Sequence, residues 1–419
     1  MRLVYLHQYF RTPDMSGGTR SYEIARRLVR RGWQVDMITS DQSPEPGAPV
    51  WRVEHVDGIT VHWTPIPYAN RMGFGERIRA FGRFAWRAAA RAGSIPADVV
   101  FATSTPLTIA MPAAWAAFRQ GVPMVFEVRD LWPEIPIAVG ALRNPLTRSA
   151  ARLLERFAYA RSSHVVALSE GMKSGIVRTG YPPQQVTVIP NSCDTDLFDV
   201  PAAVGHSLRQ DIPWLGSRPL VLYAGTVGRI NGVCYLVRVA EAVSRLGSDI
   251  QFVVVGDGAE LTTVREAADR AGILGTTFHL VPPVPKRDMP RWLSAATLAA
   301  SLFIDIPAMN ANSANKFFDA LAAGRPLMLN YGGWQAEVLE RTGAGFVVPP
   351  ADAASAARLL QSRLANADWL ASARVAARQL AYEEYGRERM AYELAQILTR
   401  ATGAADDSAS GNRPGRFRP

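Results

Sequence analysis

Residues 220–232 read Leu220-Val221-Leu222-Tyr223-Ala224-Gly225-Thr226-Val227-Gly228-Arg229-Ile230-Asn231-Gly232. The unbroken apolar run predicts a strand covered on both faces, because a strand with one wet face would alternate apolar and polar residues. The glycines that follow predict a loop, and a helical segment comes after it. Together these make half of a βαβ unit, and the unit repeats in both directions. Downstream, short apolar runs occur at 251–256, 277–281, 298–304, 326–331 and 345–348. Upstream they occur at 2–7, 34–40, 59–66, 98–104, 123–129, 164–169 and 186–191. Strands alternating with helices imply mostly parallel sheets. The expected fold class is α/β, with two tandem Rossmann-like doubly wound domains facing a cleft, where ligands of such sheets bind.

The series stalls at 199–219, where Pro201, Pro213 and Pro219 interrupt a stretch without clear period, and this segment reads as a linker. The expected division is a first domain over 1–200, a second over 201–380, a helix within 381–402 that packs back on the first domain, and a disordered tail over 403–419. A chain of 419 residues exceeds one compact core. Its net charge of +9 points to an anionic partner, either nucleotide or phospholipid, and the absence of a recognised nucleic-acid motif argues against nucleic acid. The two cysteines, Cys193 and Cys234, form no metal-type pair, so neither a disulfide scaffold nor a metal site is expected. The apolar start at 1–7 is too short for a signal segment, and no run of roughly 18 uncharged apolar residues offers a membrane span. Any membrane role is expected to be peripheral.

Four segments carry chemistry. Gly17 and Gly18 precede a helix start, where backbone N–H groups and the helix dipole favour an anion. Residues Glu127-Val128-Arg129-Asp130-Leu131-Trp132-Pro133-Glu134 leave the carboxyl end of a buried strand and are expected to edge the cleft, with Asp130 as the catalytic candidate. Gly228 and Arg229 occupy the glycine-rich loop quoted above, and a guanidinium there suits a diphosphate. Asn312-Ser313-Ala314-Asn315-Lys316-Phe317-Phe318-Asp319 opens a helix that Gly324 and Pro326 end, with Ser313 as the expected N-cap. Asn315 and Lys316 fall in its first turn, where a cation opposes the dipole unless an anion binds there. Asp319, at i+3 from Lys316, can reach the same ligand: diphosphate to Lys316, ribose hydroxyls to Asp319.

With these segments assembled, the chain resembles the family-four retaining glycosyltransferases of GT-B fold, and within them the subgroup that builds bacterial O-antigen, colanic-acid-like and other exopolysaccharides. The likeness covers roughly residues 1–400. It rests on His7-Gln8-Tyr9-Phe10 with Gly17-Gly18-Thr19-Arg20, on 127–134, on Pro190-Asn191-Ser192, on 224–232, on Val255-Gly256-Asp257-Gly258, and on 315–326 with Gly332-Gly333. It implies a nucleotide-diphosphate sugar as donor, retention of configuration and no obligatory cofactor or metal. The chain departs from the family's pair of acids eight positions apart: Asp319 matches the second, while Ala311 stands at the first. Asn231 occupies the neighbourhood of a lysine frequent in the family.

From Phe74 to Arg91 the sequence reads as a basic amphipathic helix, with Ile78, Phe81, Ala85 and Ala88 on one face and Arg79, Arg83, Arg87 and Arg91 on the other. Such a helix suits the plane of an anionic membrane. The expectation is a glycosyltransferase at the cytoplasmic face of the membrane, its first domain holding a lipid-linked or saccharide acceptor and its second the nucleotide sugar, UDP-sugar favoured. A non-catalytic nucleotide-sugar-binding subunit and a sugar-nucleotide epimerase on the same fold remain alternatives.

Overall fold

The computed structural model describes residues 1–68 and 72–404, apart from the side chain of Phe74. The tail expected to be disordered thus lies, from residue 405 onward, outside the described residues.

In the first half, strands β1 (Arg2–Leu6), β2 (Gln34–Asp41), β3 (Arg52–Val56), β4 (Ile59–Pro65), β5 (Val99–Thr103), β6 (Met124–Val128), β7 (His164–Ala167) and β8 (Val186–Val188) form one sheet. Its order is β3-β4-β2-β1-β5-β6-β7-β8, parallel throughout except for β3. Helix α1 (Arg20–Arg30) covers one face. Helices α2 (Phe74–Ala92), α3 (Ala110–Gln120), α4 (Glu134–Ala138), α5 (Pro145–Ala160) and α6 (Glu170–Arg178) follow in chain order, and α2, α3, α5 and α6 share the core on the other face.

Helices α7 (Thr195–Phe198) and α8 (Ala202–Asp211) lead into the second sheet. Its strands are β9 (Leu220–Ala224), β10 (Gln251–Val255), β11 (Phe278–Val281), β12 (Leu298–Ser301), β13 (Leu327–Leu329) and β14 (Gly345–Val347), all parallel in the order β11-β10-β9-β12-β13-β14. Helices α9 (Cys234–Arg245), α10 (Leu261–Arg270), α11 (Met289–Ala295), α12 (Asn315–Ala322), α13 (Trp334–Thr342), α14 (Ala353–Ala365) and α15 (Ala367–Gln379) connect them. The chain then returns to the first sheet in α16 (Arg387–Ala401), where Met390, Leu394 and Leu398 join Ile24 and Leu28 of α1 in one apolar cluster and Glu388 pairs with Arg27 at 2.7 Å.

Three local expectations change. The linker at 199–219 contains α8, seated on α11 so closely that a Cβ at Gly205 would lie 2.4 Å from the Ser294 carbonyl carbon. Arg209 fixes it by donating to the Ala295 carbonyl at 2.7 Å. The final helix does not run unbroken from 382: a π-turn at Leu380–Glu384 ends α15, and α16 starts only after Gly386. Strand β3, exposed along its length, was not foreseen; it folds back on β4 through Asp57 and Gly58, both at positive φ.

Candidate active site

In each sheet the connections reverse direction beside the first strand, between β1 and β5 and between β9 and β12. Ligands bind beyond the carboxyl ends of strands at such reversal points. Both carry the segments singled out above.

In the second domain, Gly225 follows β9 with φ +144, and a Cβ there would lie 3.2 Å from Lys316 Cε. Glycine thus lets the loop close over Lys316. The Lys316 ammonium donates to the Tyr223 hydroxyl at 3.1 Å and stands 4.6 Å above that ring. Asn231, with its amide turned so that the oxygen faces the lysine, accepts from Lys316 at 3.3 Å. Burial pushes the ammonium down to about 8, opposed by the charge of Asp319. No carboxylate pairs with Lys316 among the described residues. Arg229, in a single 3-10 turn of the same loop, is exposed and likewise without an ion pair among the described residues. Gly228 stands beside Asn231.

Asp319 does not face Lys316 alone. Its Oδ2 accepts from Lys286 Nζ at 2.5 Å, and the Lys286 side chain is buried. Lys286 was missed in the sequence, although it follows β11 as Arg229 follows β9. Ser313 does not cap α12 either: Ala314 occupies the N-cap without a side-chain bond. The Ser313 hydroxyl instead receives the Asn191 N–H at 3.3 Å, and the Ser313 carbonyl receives the Asn191 amide at 2.6 Å.

In the first domain the charged segment separates into two roles. Glu127 is fully buried, held by Arg20 at 2.8 and 3.0 Å and by the Thr103 hydroxyl at 2.6 Å. Burial pushes its carboxyl up, but Arg20 and then Arg129 bring it below the ordinary carboxylate range. It is a fixed anion that anchors Arg20 under the glycine loop. Asp130 is partly exposed and accepts from the Thr105 hydroxyl at 2.8 Å. Arg129 lies 3.3 Å from His7 Nε2, and burial, followed by Arg129 and Arg11, keeps His7 neutral.

The two domains meet across these residues. A Cβ at Gly18 would lie 2.9 Å from Asn315 Nδ2 and 4.0 Å from Arg129, so glycine permits the first-domain loop to touch the start of α12. Gly17, at φ +120, turns that loop. The Met15 carbonyl accepts the Lys286 N–H at 3.1 Å. Gly171 of α6 faces Ala311, whose Cβ would be only 2.8 Å from a Cβ added at 171, and the Ser169 hydroxyl donates to the Ala311 carbonyl at 2.6 Å. The site therefore brings together Gly18, Arg129, Asn315 and Lys316, with Asp319 held one turn deeper by Lys286.

Residues 17–192 match the family described as Glycosyl transferase 4-like domain, and residues 218–366 match Glycosyl transferases group 1. The probable glycosyltransferase WbjE of Pseudomonas aeruginosa is 25% identical over 277 residues, a match spanning 63% of this chain and 65% of that relative, just under two thirds of its length. Among solved structures, sucrose-phosphate synthase from Thermosynechococcus elongatus superposes with a TM-score of 0.77 at 18% identity, covering 96% of this chain and 100% of that one. HepE of Anabaena, solved in complex with UDP-glucose, gives 0.71 at 17% identity with 96% and 100% coverage. Two family domains in this order on this architecture place the chain among the GT-B glycosyltransferases.

Proposed function

We propose that this protein transfers a glycosyl group, with retention, from a nucleoside-diphosphate sugar to a lipid-linked or saccharide acceptor in cell-surface polysaccharide synthesis. The second domain, from about residue 201, holds the donor and the first holds the acceptor. The carrying observation is Lys316, a largely buried cation in the first turn of α12 with no carboxylate paired to it among the described residues. Charge and helix dipole oppose each other there until a diphosphate arrives. Asn315 and Gly228 frame the same anion, and Arg229 reaches it from the loop rim. Asp319 Oδ2 is taken by Lys286, leaving Oδ1 for a ribose hydroxyl. UDP is the favoured nucleotide, since HepE is solved with UDP-glucose.

Catalysis then consists of stabilising the departing diphosphate and positioning the acceptor. As the anomeric carbon–oxygen bond to the diphosphate breaks, the acceptor oxygen bonds to that carbon, and its proton passes to the leaving phosphate oxygen. Asp130 orients the acceptor hydroxyl. The protein works at the inner face of the membrane through α2. A non-catalytic nucleotide-sugar-binding protein is the second reading, favoured by Ala311. Nucleoside diphosphate release from a panel of donors, with acceptor membranes present, separates the two: turnover with one donor supports the transferase, and donor binding without release supports the alternative.

A further inference from the structure

The sequence assigns membrane contact to α2 alone, with Ile78, Phe81, Ala85 and Ala88 on one face and Arg79, Arg83, Arg87 and Arg91 on the opposing one. The structure redistributes that face. Arg87 donates to the Thr64 hydroxyl at 3.0 Å and Arg91 to His62 Nδ1 at 3.2 Å, so both are turned onto β4. The buried stripe of α2 is Ala80, Phe84, Ala85, Ala88 and Ala92, while Ile78, Arg79, Arg83 and Trp86 face outward.

Trp86 is 81% exposed, and it has company on the neighbouring helix, where Trp115 is 50% and Phe118 76% exposed with ring centroids 6.5 Å apart. The two helices lie side by side and end together, Arg119 of α3 donating to the Gly93 carbonyl at the end of α2 at 3.2 Å. Trp86 is six residues before the end of α2 (92 − 86) and Trp115 five before the end of α3 (120 − 115), so the indoles stand at one level. Beyond α3, α5 adds Leu146 and Leu153, both largely exposed. Charge accompanies these side chains. The three helices carry nine arginines and two glutamates, and one glutamate, Glu155, is buried. Arg79, Arg83, Arg119, Arg152 and Arg156 are exposed among the aromatic and aliphatic groups.

We infer that the outer surface of α2, α3 and α5 is a docking face for an anionic phospholipid bilayer, with Trp86, Trp115 and Phe118 in the headgroup layer and the arginines on the lipid phosphates. This inference rests on the reading that the protein works at a membrane, and moves the centre of contact from α2 to α3. Tryptophan with arginine is the composition that an interface of apolar body and anionic surface selects. A protein partner would call for a patch with fewer charges at its centre. The face also adjoins the cleft: the turn Leu107–Ile109 that starts α3 follows Thr105, whose hydroxyl holds Asp130. A lipid-borne acceptor on this face would enter beside Asp130.

The test is co-sedimentation of the full chain with vesicles of phosphatidylcholine alone and with added phosphatidylglycerol, using Trp115→Ser/Phe118→Ser, Arg79→Ser/Arg83→Ser/Arg152→Ser, and Val375→Ser as a control on exposed α15. Expected is binding to the anionic vesicles only, lowered about tenfold by the aromatic pair and about a hundredfold by the arginine triple, with melting temperature, nucleotide binding and the control unchanged. Vesicle binding that survives both variants overturns this face and leaves a membrane role elsewhere. No binding to anionic vesicles by the wild type overturns both, and a dimer in solution that the aromatic pair abolishes overturns this face.

Discussion

Asp319 shows how a residue legible in sequence acquires a constraint that was not. Its place at i+3 from Lys316 marked it as a ligand group, but its bond to Lys286 spans 33 positions and exists only once the turn Lys286–Asp288 beyond β11 is folded against α12. If Lys286 holds the carboxylate for a ribose hydroxyl, Asp319→Asn and Lys286→Met should both raise the donor KM by roughly tenfold with kcat little changed, the pattern of a contact made equally in ground and transition states. Steady-state kinetics in donor concentration check this, and a fall in kcat alone would move Asp319 to the reacting centre. Asp130 was identified from the same charged run as Glu127, and only burial separates them: Glu127 is locked by Arg20, and Asp130 is partly exposed with the Thr105 hydroxyl on it. Asp130→Asn should keep its melting temperature and donor affinity while losing turnover by about a hundredfold or more. Thermal melts and donor titration on one preparation decide it, since a stable and fully active variant would remove Asp130 from the mechanism.

At the scale of elements, apolar runs were the reliable signal. Thirteen of the fourteen strands among the described residues stand where short apolar runs bounded by turn residues predict them, several nearly continuous in Val, Ile, Leu and Phe because both faces are buried. The exception, β3, is polar and exposed on an edge, and its only mark was the Asp57-Gly58 pair that a two-residue hairpin requires. Helix faces were read less well. Spacing gave α2 its period, but not the turn that Arg87 and Arg91 take toward β4, which depends on the neighbouring strand. On α5, Glu155 is buried and bonded by the Tyr159 hydroxyl at 3.1 Å. Burial, then Glu134, raise its carboxyl from 4.5 to about 7, with Arg156 and Arg152 opposing. The sign follows: the unfolded chain ionises first, so stability is present below the unfolded value and is lost as pH rises from 4.5 to 7. Glu155→Gln should flatten that loss, which denaturant melts at pH 5 and about 7.5 measure; an unchanged pH dependence would contradict the assignment.

For the whole molecule, two α/β domains and their cleft were legible, while the seam between them was not, since it is made by small residues from distant segments. Ala311, the position where the resemblance calls for an acid, is part of that seam against Gly171 and Ser169. Its Cβ occupies the space that Gly171 leaves open in the closed arrangement, and this place in the seam weakens the case that Ala311 marks a lost activity. Ala311→Glu should part the domains, raising the radius of gyration in solution scattering and costing about 1–3 kcal/mol of stability; an unaltered scattering curve would contradict this. The central claim remains that α12 receives a diphosphate at Lys316. Calorimetric titration of UDP into the wild type and Lys316→Ala tests it most directly. The account predicts binding that weakens as pH rises through about 8, with proton uptake in that range, and a loss of about 30-fold or more in the variant. UDP affinity within about threefold of wild type in Lys316→Ala, with no pH dependence above neutrality, would contradict it.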